Sequence, residues 1–121
     1  MYRLFLISLL TLYSIIMNAQ NKIQFVYEIK LFEQFQHKSR WTDKEQQIQK
    51  EHLAYLDSLT KVGTIEMAGI QNQGLAEHKG IVLLNVKDYE EARNIAINDP
   101  SVKEGMMTVN IYSFTTYFKR H

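Results

Sequence analysis

The chain has 121 residues, with 14 Lys and Arg against 13 Asp and Glu, and it contains no cysteine. This length is typical of one domain, whose stability must come from its core because no disulfide can form. The nearly balanced and interspersed charges exclude the basic surface that nucleic-acid binding requires.

Residues 1–19 have the three-part layout of a secretory signal peptide. Arg3 precedes an uncharged apolar run from Leu4 to Met17, and the small residue Ala19 follows Asn18. An uncleaved anchor is the alternative, but the run is shorter than the ~20 apolar residues that span a membrane. We therefore expect cleavage after Ala19, an exported protein that is periplasmic or secreted, and no stable membrane anchor. Residues 20–121 then form a single domain.

A strand and a long helix are predicted next. Residues 24–31 alternate apolar and polar side chains, which indicates a strand with one wetter face, and residues 32–41 show no period and are predicted as a loop. Thr42 and Glu45 fit a capping box in which the threonine oxygen accepts the backbone N–H of Glu45. The helix then continues to about Val62, and Gly63 stands where a left-handed cap is expected.

The predicted helix carries a histidine on its apolar face. His52 shares this face with Ile48, Tyr55, Leu56 and Leu59, because residues three and four apart are neighbours on a helix. His52 therefore points inward. A lone inward histidine is more often a packed core residue than a reactive one, so spacing alone favours packing.

The second half of the chain is predicted to contain three strands and one helix. Residues 64–70 and 81–86 read as strands, the latter apolar enough to be a central strand covered on both faces. Asp88 and Glu91 form a second capping box before a helix over residues 89–97, which Asp99 and Pro100 end. Residues 106–118 are rich in β-prone side chains and predict the last strand.

The order strand, helix, strand, strand, helix, strand predicts an α+β fold of the ferredoxin-like βαββαβ type. Its four-stranded antiparallel sheet carries both helices on one face. The other face would be lined by aromatic and aliphatic side chains, and a large exposed apolar surface usually marks an interface. We therefore predict a homodimer in which two sheets pack face to face.

Three short motifs resemble the YciI-related family, which belongs to the dimeric α+β barrel group. They are the His-Leu pair at 52–53, the Ala-Gly pair at 68–69, and the Asp-Pro pair at 99–100 with a glycine at 105. The resemblance extends over residues 24–118 and implies a pocket centred on His52 and Asp99. Gln49 stands where relatives often carry arginine, and Ile70 where they often carry proline.

The chemistry of such a pair follows from its two groups. Asp99 ends the second helix on the same sheet face as His52, so the two are expected to meet in the crevice between the helices. A carboxylate that accepts a hydrogen bond from one imidazole nitrogen fixes the tautomer and leaves the other nitrogen as a base. The pair suits isomerisation, elimination or hydration, and it lacks a strong nucleophile. Asp99 is also suited to capping a turn, which is compatible with this role.

We predict a small exported enzyme without a cofactor, with His52 and Asp99 as catalytic residues and a small organic molecule as substrate. One alternative is a dimer that binds or senses a small molecule without turning it over, and another is a purely structural dimerising domain. A metal site is not expected, because His37, His52, His78 and Asp99 have no recognised ligand spacing. Three aromatic residues are candidates for a pocket wall or for packing: Trp41, Tyr55 and Tyr112.

Overall fold

The computed structural model describes residues 22–73 and 78–121, and the predicted leader lies outside these residues. The strands are β1 (Lys22–Leu31), β2 (Ile65–Gln71), β3 (Lys79–Leu84) and β4 (Met107–Thr116). The helices are α1 (Asp43–Lys61), α2 (Tyr89–Asn98) and the short α3 (Pro100–Lys103). Each predicted strand and helix is therefore present within a few residues of its expected bounds.

The sheet has the order β2-β3-β1-β4, and all neighbouring strands are antiparallel. Tyr27 of β1 pairs with Val82 of β3 on one side and with Ile111 of β4 on the other. This topology confirms the predicted ferredoxin-like fold. The core lies between the sheet and the helices, where Tyr27, Val82 and Ala92 are fully buried.

The opposite face of the sheet is open in the described chain. Ile81 is 37% exposed although it lies between Gly80 and the buried Val82, so the prediction that β3 is covered on both faces is wrong for the single chain. The reason is the alternation of side chains along a strand, which gives the helices only one of the two faces. The other exposed large apolar residues on this open face are Met67, Tyr112 and Phe114.

Both helix starts are capped by the predicted residues, with one difference in geometry. The Thr42 hydroxyl accepts from the backbone N–H of Lys44 at 3.3 Å instead of that of Glu45, and it donates to the Glu45 carboxylate at 2.8 Å. Asp88 accepts from the backbone N–H of Glu91 at 2.9 Å, as predicted. These side chains satisfy helix N–H groups that have no partner inside the helix.

The segment between β1 and α1 is more ordered than its sequence indicates. It contains two 3₁₀ turns, Glu33–Phe35 and Lys38–Arg40, and the Trp41 indole N–H donates to the Phe35 carbonyl at 2.7 Å. At the other end of α1, Gly63 has a φ of +83°, which confirms the predicted left-handed cap.

Candidate active site

The structure brings the two predicted site residues together. His52 lies in the third turn of α1 and Asp99 directly follows α2, and the Nδ1 of His52 is 2.7 Å from the Oδ1 of Asp99. His52 is 5% exposed and Asp99 is fully buried. The spacing that placed His52 on the inner face of its helix therefore also directs it at the end of the second helix.

Asp99 accepts hydrogen bonds from three other groups. The hydroxyl of Tyr27 donates to Oδ2 at 3.0 Å, and the backbone N–H and hydroxyl of Ser101 donate to Oδ1 at 3.0 and 2.8 Å. The Ser101 bonds are the predicted turn cap, now at the start of α3. Because each of these groups donates, Asp99 is held as an acceptor on both of its oxygens.

The electrostatics of this cluster favour an ionised Asp99. Burial raises the pKa of the Asp99 carboxyl, but the hydrogen bond and charge of His52 and the two Ser101 bonds outweigh it, so the pKa is lowered from its usual value. Burial, followed by the charge of Asp99, raises the pKa of Tyr55 to about 12 and moves the pKa of Tyr27 upward as well. Both phenols therefore remain protonated donors, and Tyr55 uses its proton on the Ile95 carbonyl at 2.6 Å.

A cavity of about 540 Å³ opens between α1 and the sheet, with His52 in its wall. This volume lies within the range of pockets that hold small organic molecules. Asp99 binds Nδ1, so Nε2 is the ring nitrogen available to a molecule in the cavity. Most of the wall is apolar, and its larger non-aromatic apolar members are Ile29, Leu31, Leu53, Leu56, Ile70, Val82 and Met107.

Polar groups also line the cavity. The sequence indicated Trp41 as a candidate for a pocket wall, but it indicated no role for Lys38 and none beyond a departure from the related pattern for Gln49. Gln49 lies in the wall one turn before His52, and its Oε1 is buried without a hydrogen-bond partner in the described part of the chain. Lys38 and Trp41 lie in the wall as well, and the Lys38 ammonium is 5.8 Å from the centre of the Trp41 ring. In the sequence, Gln49 stood out only because relatives often carry arginine at that position.

The remaining candidates are separated by the fold. Trp41 lines the cavity, Tyr55 packs against α2, and Tyr112 lies on the open face of the sheet. His78 borders the cavity, whereas His37 is exposed in the segment before α1. Within residues 22–73 and 78–121, no group of three or more His, Asp or Glu side chains is placed to hold a metal ion. The described helices include none long and apolar enough to cross a membrane.

Comparisons with known proteins agree with this architecture. The family model of the YCII-related domain matches residues 19–115. Among solved structures, the 5-chloro-2-hydroxyhydroquinone dehydrochlorinase TftG from Burkholderia phenoliruptrix AC1100, in complex with 2,5-dihydroxybenzoquinone, has a TM-score of 0.53 and 16% identity. The similarity covers 81% of this chain and 95% of that chain, and it shows a shared fold. The search of curated proteins returned no match.

Proposed function

Because the chain belongs to the YCII-related domain family, whose model spans residues 19–115, we propose that it is an enzyme of small-molecule acid–base chemistry with His52 as the base. The observation that carries the proposal is the 2.7 Å contact between His52 Nδ1 and Asp99, made by an imidazole in the wall of the cavity. An ionised carboxylate at Nδ1 holds the proton on that nitrogen and leaves the lone pair on Nε2.

The reaction we favour is elimination from a small hydroxylated ring compound. His52 Nε2 takes a proton from a hydroxyl or from a carbon beside a carbonyl, the electron pair enters a new double bond, and the leaving group departs with its bonding pair. The proton on His52 then passes to solvent. The apolar wall suits a ring, and the fold is shared with a dehydrochlorinase bound to a dihydroxybenzoquinone.

The test measures chloride release from 5-chloro-2-hydroxyhydroquinone by the wild type and by the His52→Gln and Asp99→Asn variants. We expect either change to lower kcat/KM between about 10²-fold and 10⁴-fold, the contribution of a positioned base. His37→Gln is the matched control, because His37 is exposed and outside the cavity wall, and it should leave the rate unchanged. Chloride release that persists at the wild-type rate in His52→Gln would contradict the proposal.

A binding measurement with 2,5-dihydroxybenzoquinone, made alongside the chloride assay, separates catalysis from binding alone. If 2,5-dihydroxybenzoquinone binds the wild type, and this binding depends on His52, while no chloride is released, the protein is a binding or sensing module. The apolar cavity supports binding in either case, so the turnover measurement decides between the two functions.

We also propose that the protein acts as a homodimer and that residues 1–19 are a cleaved signal peptide. The open sheet face supports the dimer, since Met67, Tyr112 and Phe114 are each at least 44% exposed there. The apolar run after Arg3 supports export. Mass spectrometry of the protein secreted from its host would reveal an N-terminus at Gln20 if cleavage follows Ala19.

A further inference from the structure

The side-chain amide of Gln49 has an unsatisfied oxygen beside the reactive histidine. Gln49 and His52 are three residues apart on α1, which places them on the same helix face, and both line the cavity. The Oε1 of Gln49 is buried, and no hydrogen-bond donor contacts it from residues 22–73 or 78–121. Buried polar atoms in folded proteins almost always have a partner, so this oxygen requires an explanation.

The surroundings of Gln49 indicate that the partner comes from the ligand. On α1, the neighbouring wall residues Leu53 and Leu56 have no side-chain donor, and His52 already directs Nδ1 at Asp99. The wall also contains side-chain donors on Lys30, Lys38 and Thr60, but none of them contacts the Gln49 oxygen. The last torsion of a glutamine side chain is broad, so the amide can turn toward the cavity while α1 stays in place. A donor on a bound molecule would then satisfy the oxygen.

We propose that Gln49 is a specificity-determining residue whose Oε1 accepts a hydrogen bond from a hydroxyl or N–H group of the substrate. This group lies beside the one that gives its proton to His52, so the substrate carries two separate donors on an apolar body. The inference rests on the proposed function and defines its substrate class further.

The test compares two ring probes of similar shape, hydroquinone and 4-methylphenol, in which a methyl group replaces the second hydroxyl. Dissociation constants are measured by calorimetry for the wild type, Gln49→Met and Gln49→Glu. We expect the wild type to prefer hydroquinone by on the order of fivefold, the value of one neutral hydrogen bond. Gln49→Met should abolish this preference by weakening hydroquinone alone. Gln49→Glu should restore it, because the carboxylate keeps an acceptor at the same reach.

Gln47→Met serves as the control variant, and three results would overturn the inference. Gln47→Met changes an exposed glutamine of the same helix that bonds to Glu51 and is outside the cavity wall, and it should preserve the preference. The inference is overturned if the wild type binds both probes equally or neither, or if Gln49→Met keeps the preference. None of these results affects chloride release and its dependence on His52, so the proposed function is judged separately.

Discussion

At the residue scale, Asp99 connects three elements of the fold through a single carboxylate. It accepts from His52 on α1, Tyr27 on β1 and Ser101 on α3, at distances of 2.7 to 3.0 Å. Several donors therefore stabilise the negative charge of the carboxylate, and Asp99 orients His52 without being a good proton acceptor itself. The same bonds that prepare the histidine also hold the two helices together, so site and core share their stability.

The Asp99 carboxylate makes the free energy of unfolding of this protein depend on pH in the acid range. Its pKa in the folded chain is below the ordinary value of 3.8, so the folded state binds protons less readily than the unfolded state. The stabilisation is therefore fully present above about pH 4 and is lost as the pH falls through the folded pKa. We expect Asp99→Asn to lower the free energy of unfolding by about 2–3 kcal/mol at pH 7. The difference from the wild type should shrink as the pH falls below 4.

Urea unfolding of both proteins at a series of pH values checks this prediction. Carboxylates other than Asp99 are common to the two proteins, so the difference between them reports the Asp99 carboxylate together with its contact to His52. A difference that stays constant from pH 7 to pH 2 would show that the carboxylate charge contributes nothing to stability.

The residues of the site differ in how far their sequence positions reveal them. His52 and Asp99 were identified because the resemblance to the YciI-related family implies them as the centre of a pocket. The helical period alone placed His52 on the inner face and favoured a packing role. Tyr27 and Ser101 were not identified, since their contacts with Asp99 depend on how β1 and α3 meet α2 in three dimensions. The unsatisfied oxygen of Gln49 depends on every atom around it, and a pattern of residue types carries no such information.

At the element scale, periodicity and caps account for most of the fold. Alternation predicted β1, and Thr42 and Gly63 marked the two ends of α1 within about one residue. The segment before α1 and the helix α3 were not predicted as helical. Their turns are too short to show a period, and α3 begins at a proline, which ends one helix and also suits the first position of another.

Two glycines on neighbouring strands, whose Cβ positions lie on opposite faces of the sheet, test the packing under α1. A Cβ at Gly80 would lie 2.6 Å from the Cγ1 of Ile29, whereas a Cβ at Gly69 would meet nothing within 4 Å. Ile29 is 3% exposed and β-branched, so it cannot easily turn away. We expect Gly80→Ala to lower the free energy of unfolding by about 1–3 kcal/mol and Gly69→Ala to change it by less than about 0.5 kcal/mol.

Urea unfolding at pH 7 measures both variants under one condition. Gly69 pairs with Ile81, whose side chain lies on the open face, so Gly69→Ala controls for the loss of a glycine from a strand, and only Gly80→Ala adds an atom under α1. Equal destabilisation would therefore contradict the specific clash with Ile29.

At the scale of the whole molecule, the two faces of the sheet differ in how the chain covers them. The helices cover one face. The other face has an apolar centre around Met67 and Tyr112, the Glu28–Lys79 ion pair toward one end and a polar cluster at the opposite end. At that end the Gln24 amide donates to Asn85 at 2.5 Å, Asn85 donates to Glu66 at 2.8 Å, and Lys119 forms an ion pair with Glu66. The polar end is thus satisfied within the chain, whereas the apolar centre is left for a partner.

A second copy of the chain is the partner we expect on the apolar centre, and Tyr112 tests it. Tyr112 is 51% exposed on β4, opposite Val26 of β1. A lysine there would place an unpaired charge between two apolar surfaces, which association would have to desolvate. In sedimentation equilibrium at micromolar concentration, the wild type should have the mass of a dimer, and Tyr112→Lys should raise the dissociation constant at least about tenfold.

The control is Val62→Lys, because Val62 is an apolar residue at the end of α1 that is 74% exposed and lies away from the open sheet face. This variant should remain dimeric. A monomeric wild type would refute the dimer but not the chemistry of His52, because both groups of the His52–Asp99 pair come from one chain.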